Sequence, residues 1–434
     1  MTGTAGLDPR FQLALRPAEA GPVLTSVLGL APGRAPEILD AKIDVDHGAT
    51  VLYRLGERLV VATSDPGPAG AVFAEPLGLT VRVFPDDPAL PGLAVAMDPA
   101  ALADLVEKAL GGGAEVIRAR ATPMRYRPGR RCTLRIDAWL RTPSCPARRT
   151  WFGKLYHDAG KAADAWDAMC LIEGAQPVRD GLLRVAHPAA FLPDVPIVVQ
   201  DPVAGIPLET RIGPLTGPAG RLDRRARPGV LAAAEAVAAL HSADVDTGQA
   251  RPAAKDLRKL ARRSAQGVAG IDPALADRIE ALVAALDAEV GALPRVTAVG
   301  HGDCKPTQFL LGRGPARPSR SAAVLDFDHC GMADPAADTG NFAASLRQLA
   351  LAQRHAWRPT AAGSARAVEL DGLAGTFLDR YETCAGDAAG PALRERVAWY
   401  ERLALLRKGL RVFARSPRSP MAAALIGAAE EGSR

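Results

Sequence analysis

The stretch Val299–Gly312 reads VGHGDCKPTQFLLG and sets Asp303, Lys305 and Gln308 close together. Phosphoryl transfer from ATP needs residues of these types. A carboxylate must orient an attacking hydroxyl and accept its proton, oxygen ligands must hold Mg2+ against the phosphates, and a cation must offset the developing charge. Asp303 follows the apolar VTAVG, where a strand end can project it, and is the candidate base. Lys305 is the candidate cation toward the transferring phosphoryl group. Gln308 offers a metal a neutral carbonyl oxygen, as Asn would, one methylene further out. Asp326, closing an apolar run in AVLDFDHCGMADPAAD (323–338), is the candidate chelating carboxylate.

Two other chemistries fail on spacing. Asp326-x-Asp328-x-Cys330-Gly331 half-mimics a calcium loop, but position twelve is Ala337, which lacks the required bidentate carboxylate. His329 and Cys330 adjoin carboxylates, yet no second His/Cys pair follows at zinc spacing. His301 reads as a structural brace of its loop.

The composition fits this chemistry. The chain has 434 residues, 48% apolar and 23% charged, with net charge +5 and pI near 9.0. That is a soluble globular composition with material for two or three domains. The arginines are scattered along the chain, with a local concentration at Arg125, Arg127, Arg130 and Arg131, where phosphate contact and a solvated hairpin face are both open readings. No basic, aromatic-interleaved module accompanies them, so no nucleic-acid partner is expected. The six cysteines form no CxxC pair and read as reduced, mostly buried thiols. No secretory signal pattern and no apolar run of ~18 residues is present, so a cytoplasmic protein without a membrane partner is expected.

The elements that must position these residues fall into two patterns. Residues 37–64 alternate around a glycine and predict at least one hairpin; 98–110 predict an N-capped helix, broken by the glycines at 111–113. Residues 114–141 predict two strands about a turn at Pro128-Gly129, 149–158 a third, and 160–175 a helix, before strand pieces ending at 195–205. Trp151, Trp166 and Tyr156 are expected in the core of this part. ATVLYRLGERLVV (49–61) echoes ATPMRYRPGRRCTL (121–134), by duplication or coincidence. From about 206 helices are predicted at 227–246, 253–268, 272–293, 338–354, 367–384 and 391–414. A β-rich part followed by a helical part is an α+β order. The expected division is an N-terminal α+β cap-like unit at 1–112, a small lobe at 113–204 and a helical large lobe at 205–434.

HGDCKPTQFLL followed by VLDFDHCGMADPAAD resembles the aminoglycoside phosphotransferase family, over roughly residues 115–415. The resemblance implies a bilobal protein-kinase-like fold and an ATP- and Mg2+-dependent kinase acting on a hydroxyl of a small molecule. It implies Asp303 as base, Gln308 and Asp326 as Mg2+ ligands, and Asp338 as anchor of the catalytic loop. Lys154 in FGKLY would hold the α- and β-phosphates, the hairpin with Gly129 would cover the nucleotide, and backbone groups from Gln200 to Val203 would meet the adenine. AALH (238–241) matches a helix end common in the family. Gln308 stands where Asn is usual, a feature similar to the maltokinase branch. The acid that pairs with Lys154 is open among Asp164, Asp167 and Glu173.

The function expected is phosphorylation of an aminoglycoside-like or related metabolite. A maltokinase-type sugar kinase and a degenerate nucleotide-binding protein without turnover are the alternatives. A protein kinase is disfavoured because Asp334-Pro335 comes eight residues after Asp326, leaving no space for a long activation segment. Substrate identity, ATP against GTP, the role of 1–112 and the oligomeric state stay open.

Overall fold

The computed structural model describes residues 9–31, 33–44, 48–65, 67, 71–111, 115–141, 147–213, 222–312, 321–355, 360–417 and 419–432. The boundary expected at 112/113, most of the triple glycine and Cys145 lie outside these residues. The chain forms two compact units, 1–163 with 189–201 and 164–188 with 202–434. The first is β-rich and the second mostly helical, so the α+β order is observed.

The first unit holds two five-stranded sheets. Strands run Glu37–Asp44, Gly48–Leu55, Arg58–Thr63, Leu79–Val83 and Val72–Ala74 in one, and Glu115–Arg127, Arg131–Arg141, Ala147–Tyr156, Ile197–Gln200 and Pro188–Leu192 in the other. Both follow the same order, with the fourth and fifth strands exchanged in space. The echoing segments 49–61 and 121–134 occupy corresponding hairpins, and each turn carries a left-handed glycine, Gly56 and Gly129. The region 37–64 thus forms three strands where at least one hairpin was expected. Helix Pro99–Ala109 starts where Asp98 accepts from the N–H groups of Ala100 and Ala101 at 3.1 and 2.8 Å. Its Leu102 and Val106, one turn apart, pack with Ile136, Trp151 and Ile197 of the second sheet. Tyr156 is buried as well, whereas Trp166 lies half-buried in the second unit.

The second unit is organised by three long helices, Pro335–Arg354, Ala361–Ala385 and Leu393–Arg415. Leu403, Leu406 and Leu410 of the last pack with Leu275, Ile279, Leu282 and Leu286 of helix Pro273–Val290, each set spaced at three or four residues. Leu425 and Ile426 of a further helix, Pro420–Glu431, close this core. That helix and the N-terminal ones at Pro9–Ala14 and Pro17–Val27 were not foreseen: alanine and glycine dilute the apolar periodicity of Pro17–Val27 and Pro420–Glu431, and Pro9–Ala14 has only six residues. Among the described residues no helix is long and apolar enough to cross a membrane, and Cys132, Cys170, Cys304, Cys330 and Cys384 are free thiols.

Arg396 is fully buried and ties the start of two helices together. Its guanidinium donates to Asp334, which caps helix Pro335–Arg354 through Ala336 N–H at 2.9 Å, and to the carbonyls of Pro391 and Ala389. Burial pushes the Asp334 carboxyl above its usual range even though its cap bond and Arg396 pull it down. Arg396→Met should therefore lower the denaturation free energy by about 3 kcal/mol or more, because it leaves a buried carboxylate without its cation; an unchanged urea midpoint would contradict this role.

Candidate functional site

Strand Ala298–Gly300 pairs with Gly331–Ala333, Val299 opposite Met332, and feeds the turn His301–Gly302–Asp303 from a fixed rail. Gly302 has φ +76°, and a Cβ there would meet the His329 carbonyl oxygen at 2.0 Å, so the turn demands glycine. Past the turn, Phe309–Leu311 pairs with Ala322–Val324, Phe309 opposite Val324. The Leu325 N–H then donates to the Gln308 carbonyl at 2.9 Å. This register, rather than sequence proximity, sets Gln308 beside Asp326.

Four predicted side chains meet here. Lys305 Nζ donates to Asp303 Oδ2, and Gln308 Nε2 donates to the same oxygen at 3.4 Å and to Asp326 Oδ2 at 3.2 Å. Gln308 is buried, whereas the Asp303 and Lys305 side chains keep 22% and 25% exposure, enough to meet a ligand. Burial raises the Asp303 carboxyl, but the Lys305 ammonium and its hydrogen bond, with His301 and His329, outweigh it and hold the group below the usual carboxylate range. Asp326 adopts the left-handed region at φ +70°, ψ +66°. Such backbone costs a non-glycine residue about 1 kcal/mol or more and concentrates where function fixes a side chain.

The turn is held from below by Asp338. Its carboxylate is almost fully buried and accepts from His301 N–H at 2.6 Å, Gly302 N–H at 2.9 Å and His241 Nε2 at 3.1 Å. His241 ends helix Ala226–His241, and its Nδ1 accepts from the Tyr381 hydroxyl at 2.8 Å. Burial pushes the Asp338 carboxyl up, but the bond and charge of His241, with His301, pull it further down, so the net value is lowered. His301 Nε2 meets the Leu325 carbonyl at 2.8 Å, and its Nδ1 accepts from Asp303 N–H at 3.2 Å. One turn beyond Asp338, Asn341 Nδ2 donates to the Cys304 carbonyl at 2.7 Å.

Among the described residues no group of three or more His, Cys, Asp or Glu side chains forms a metal cage. Gln308 and Asp326 nevertheless fit a hard cation that draws its remaining ligands from phosphates and water. The amide nitrogen of Gln308 faces both carboxylates, and a half-turn about its last torsion would present the oxygen in its place.

The remaining predicted residues are divided between the two units. Lys154 stands mid-strand between Thr133 and Val198, half-buried, with its ammonium 5.7 Å from the Tyr156 ring centre. Gly129 forms the tip of hairpin 115–141 at φ +67°. Gln200 ends strand Ile197–Gln200, opposite Phe152, while Val203 follows in the second unit. Asp164 and Asp167 are exposed in the second unit, and Glu173 is met there by His187 at 3.0 Å.

Sequence reasoning missed three residues. Asn341 and Tyr381 support the loop, and Asn341 carried a signal in its three-residue spacing from Asp338. Asp87 is buried and accepts from the Tyr126 hydroxyl and the Gly129 N–H, both at 2.7 Å. Its neighbour Phe84 stacks edge-on against Tyr126 at 5.1 Å. The N-terminal region thereby holds the hairpin tip, a contact no local pattern announces.

Two outcomes follow. The Asp338 carboxyl ionises more readily in the folded state than its unfolded value of about 3.9, so its stabilisation is complete above that value and is lost as pH falls through the lowered one. Asp338→Asn should be less stable at neutral pH and lose less stability between about pH 5 and pH 3, read from urea midpoints; a parallel loss would remove Asp338 as the acid-sensitive anchor. Asp87→Ala should raise amide exchange at Gly129 at least about tenfold, the loss of one buried hydrogen bond; unchanged protection would refute the brace.

Comparison with known proteins bears on the same region. The model of the phosphotransferase enzyme family (APH) matches residues 181–367. No curated protein matches the chain. Among solved structures, a glucosamine kinase bound to glucosamine, ADP and inorganic phosphate has 17% identity and TM-score 0.46, covering 99% of each chain. A choline/ethanolamine kinase family protein from Mesorhizobium loti has 15% identity and TM-score 0.43 over 69% of this chain and 85% of its own. The GDP complex of an aminoglycoside 2'-phosphotransferase has 14% identity and TM-score 0.46 over 77% and 97%.

Proposed function

We propose that this protein, whose residues 181–367 match the model of the phosphotransferase enzyme family, is a small-molecule kinase that moves the γ-phosphoryl group of ATP to a hydroxyl. The observation that carries the reading is the meeting of Lys305, Gln308 and, through Gln308, Asp326 on the Asp303 carboxylate. Asp303, kept ionised by its neighbours, orients the acceptor hydroxyl and takes its proton as oxygen attacks the γ-phosphorus. The bond from γ-phosphorus to the β–γ bridging oxygen breaks, and its electron pair leaves with ADP. Lys305 offsets charge on the transferring group. Gln308 and Asp326 would hold Mg2+, which supplies charge neutralisation across the phosphates when bound.

Lys154, on a rigid central strand, is assigned to the non-transferred phosphates. The Gly129 turn, with its left-handed glycine and Asp87 brace, is assigned as their cover, and the chain from Gln200 to Val203 as the adenine contact.

Asp303→Asn should reduce Mg2+-dependent ADP release with a turned-over acceptor by about 10^3-fold or more while nucleotide affinity stays within about twofold. Wild-type rates in that variant would remove Asp303 from the mechanism. Nucleotide binding with no turnover on hydroxylated sugars, amino sugars, sugar acids and polyols would favour a binding protein that has lost the chemistry.

A further inference from the structure

Helix Leu393–Arg415 carries Arg407, Arg411 and Arg415 at four-residue spacing, hence along one face. Arg407 donates to the Asn341 side-chain oxygen at 3.2 Å, and Asn341 holds the Cys304 carbonyl, so this face connects to the Asp303–Lys305 turn. Lys408 is buried beside it, with its ammonium donating to the Ser345 hydroxyl at 2.9 Å. The neighbouring helix Ala253–Gly267 adds exposed Lys255, Arg258, Lys259, Arg262 and Arg263. Its Asp256 lies 3.6 Å from Arg407, and the charge of Arg263 acts on Arg411.

The charges that act on Lys408 and Arg411 are therefore mostly positive. The carboxylates that act on Arg407, Lys408 and Arg411 are Asp256 and Asp303, and the latter is already engaged by Lys305 and Gln308. Burial, then the charges of Arg407, Arg411 and Lys305, bring the Lys408 ammonium down to about 7. A methionine would fill this space without a charge, so the arrangement spends stability on a positive field. An anion seated there would offset the repulsion, and arginine forks match carboxylate, sulfate and phosphate groups in shape. A cationic acceptor would meet the wrong sign.

Building on the phosphotransferase reading, we infer that the acceptor hydroxyl belongs to an anionic small molecule whose carboxylate, sulfate or phosphate group is seated by Arg407, Lys408 and Arg411 while the hydroxyl faces Asp303. Arg411 is the specificity-determining member, exposed and one turn beyond the residue tied to the loop. The same cations could instead serve the γ-phosphate of the nucleotide, and the test separates these two sources.

The experiment compares acceptors that share one ring and differ in charge: glucuronic acid and glucose 6-phosphate, glucose, and glucosamine. Mg2+-dependent ADP release and the thermal shift of the full chain are measured for wild type, Arg411→Glu and Lys408→Met. The expected result is kcat/KM at least about tenfold higher for an anionic member than for glucose or glucosamine. Arg411→Glu should raise the KM of that acceptor at least about tenfold and leave the KM of ATP unchanged. Preference for glucosamine, or an Arg411→Glu variant with an unaltered acceptor ranking, would overturn the inference and leave the kinase reading intact. A rise in the KM of ATP alone would assign the cations to the nucleotide and likewise overturn it. If no member turns over, thermal shifts decide. Stabilisation by glucuronic acid or glucose 6-phosphate that disappears in Arg411→Glu upholds the anion site while the kinase reading fails, and the lack of such stabilisation sinks the anion site too. Lys408→Met controls for folding, because a variant that is stable yet loses the anionic preference assigns the effect to charge.

Discussion

The buried carboxylate of Asp338 is the constraint on which the site depends. A turn that projects Asp303 outward leaves the N–H groups of His301 and Gly302 pointing into the protein, where water cannot satisfy them. Asp338 accepts both, and its own charge is tolerated because His241 supplies a third donor. The network runs on to Tyr381 and so joins three helices to one turn. Without that anchor, the register between Phe309–Leu311 and Ala322–Val324 would still align Gln308 with Asp326, but Asp303 would lose its fixed relation to them.

Much of the site was legible in the sequence because its parts lie within short segments with definite roles. Asp303, Lys305 and Gln308 sit in one loop, and Asp326 and Asp338 flank another. Their meeting needed only the pairing of two short apolar runs. The long helices were legible for the same reason, since Leu275, Ile279, Leu282 and Leu286 repeat at helical spacing. What escaped was non-local or weakly patterned. Asp87 looks like an ordinary turn residue until the chain folds back, over some forty positions, to present Tyr126 and Gly129. Helix Pro420–Glu431 hid behind small residues. The repeated strand order of the two sheets could only be hinted at by the echo between 49–61 and 121–134, because topology is not a local property.

Electrostatics divides the site into tasks. Lys305 helps hold the Asp303 carboxyl below its usual range and occupies one of its oxygens, which in the proposed mechanism leaves the other for the acceptor hydroxyl. The strained backbone at Asp326 fixes a carboxylate where a relaxed turn would let it wander. Around this centre the helices contribute positive charge, some of it buried at a cost to stability. The buried Lys408 ammonium is one such charge, held by the Ser345 hydroxyl at 2.9 Å.

The central claim is that Asp303, Gln308 and Asp326 form a phosphoryl-transfer centre that holds a divalent cation together with nucleotide. The most direct measurement is Mn2+ binding by electron paramagnetic resonance, with and without ADP, in wild type and in Asp326→Asn, which keeps the left-handed backbone accessible while removing the charge. The account predicts that the protein with ADP binds Mn2+ more tightly than ADP alone does, and that the variant loses this gain. Equal Mn2+ affinity in wild type and variant would contradict it.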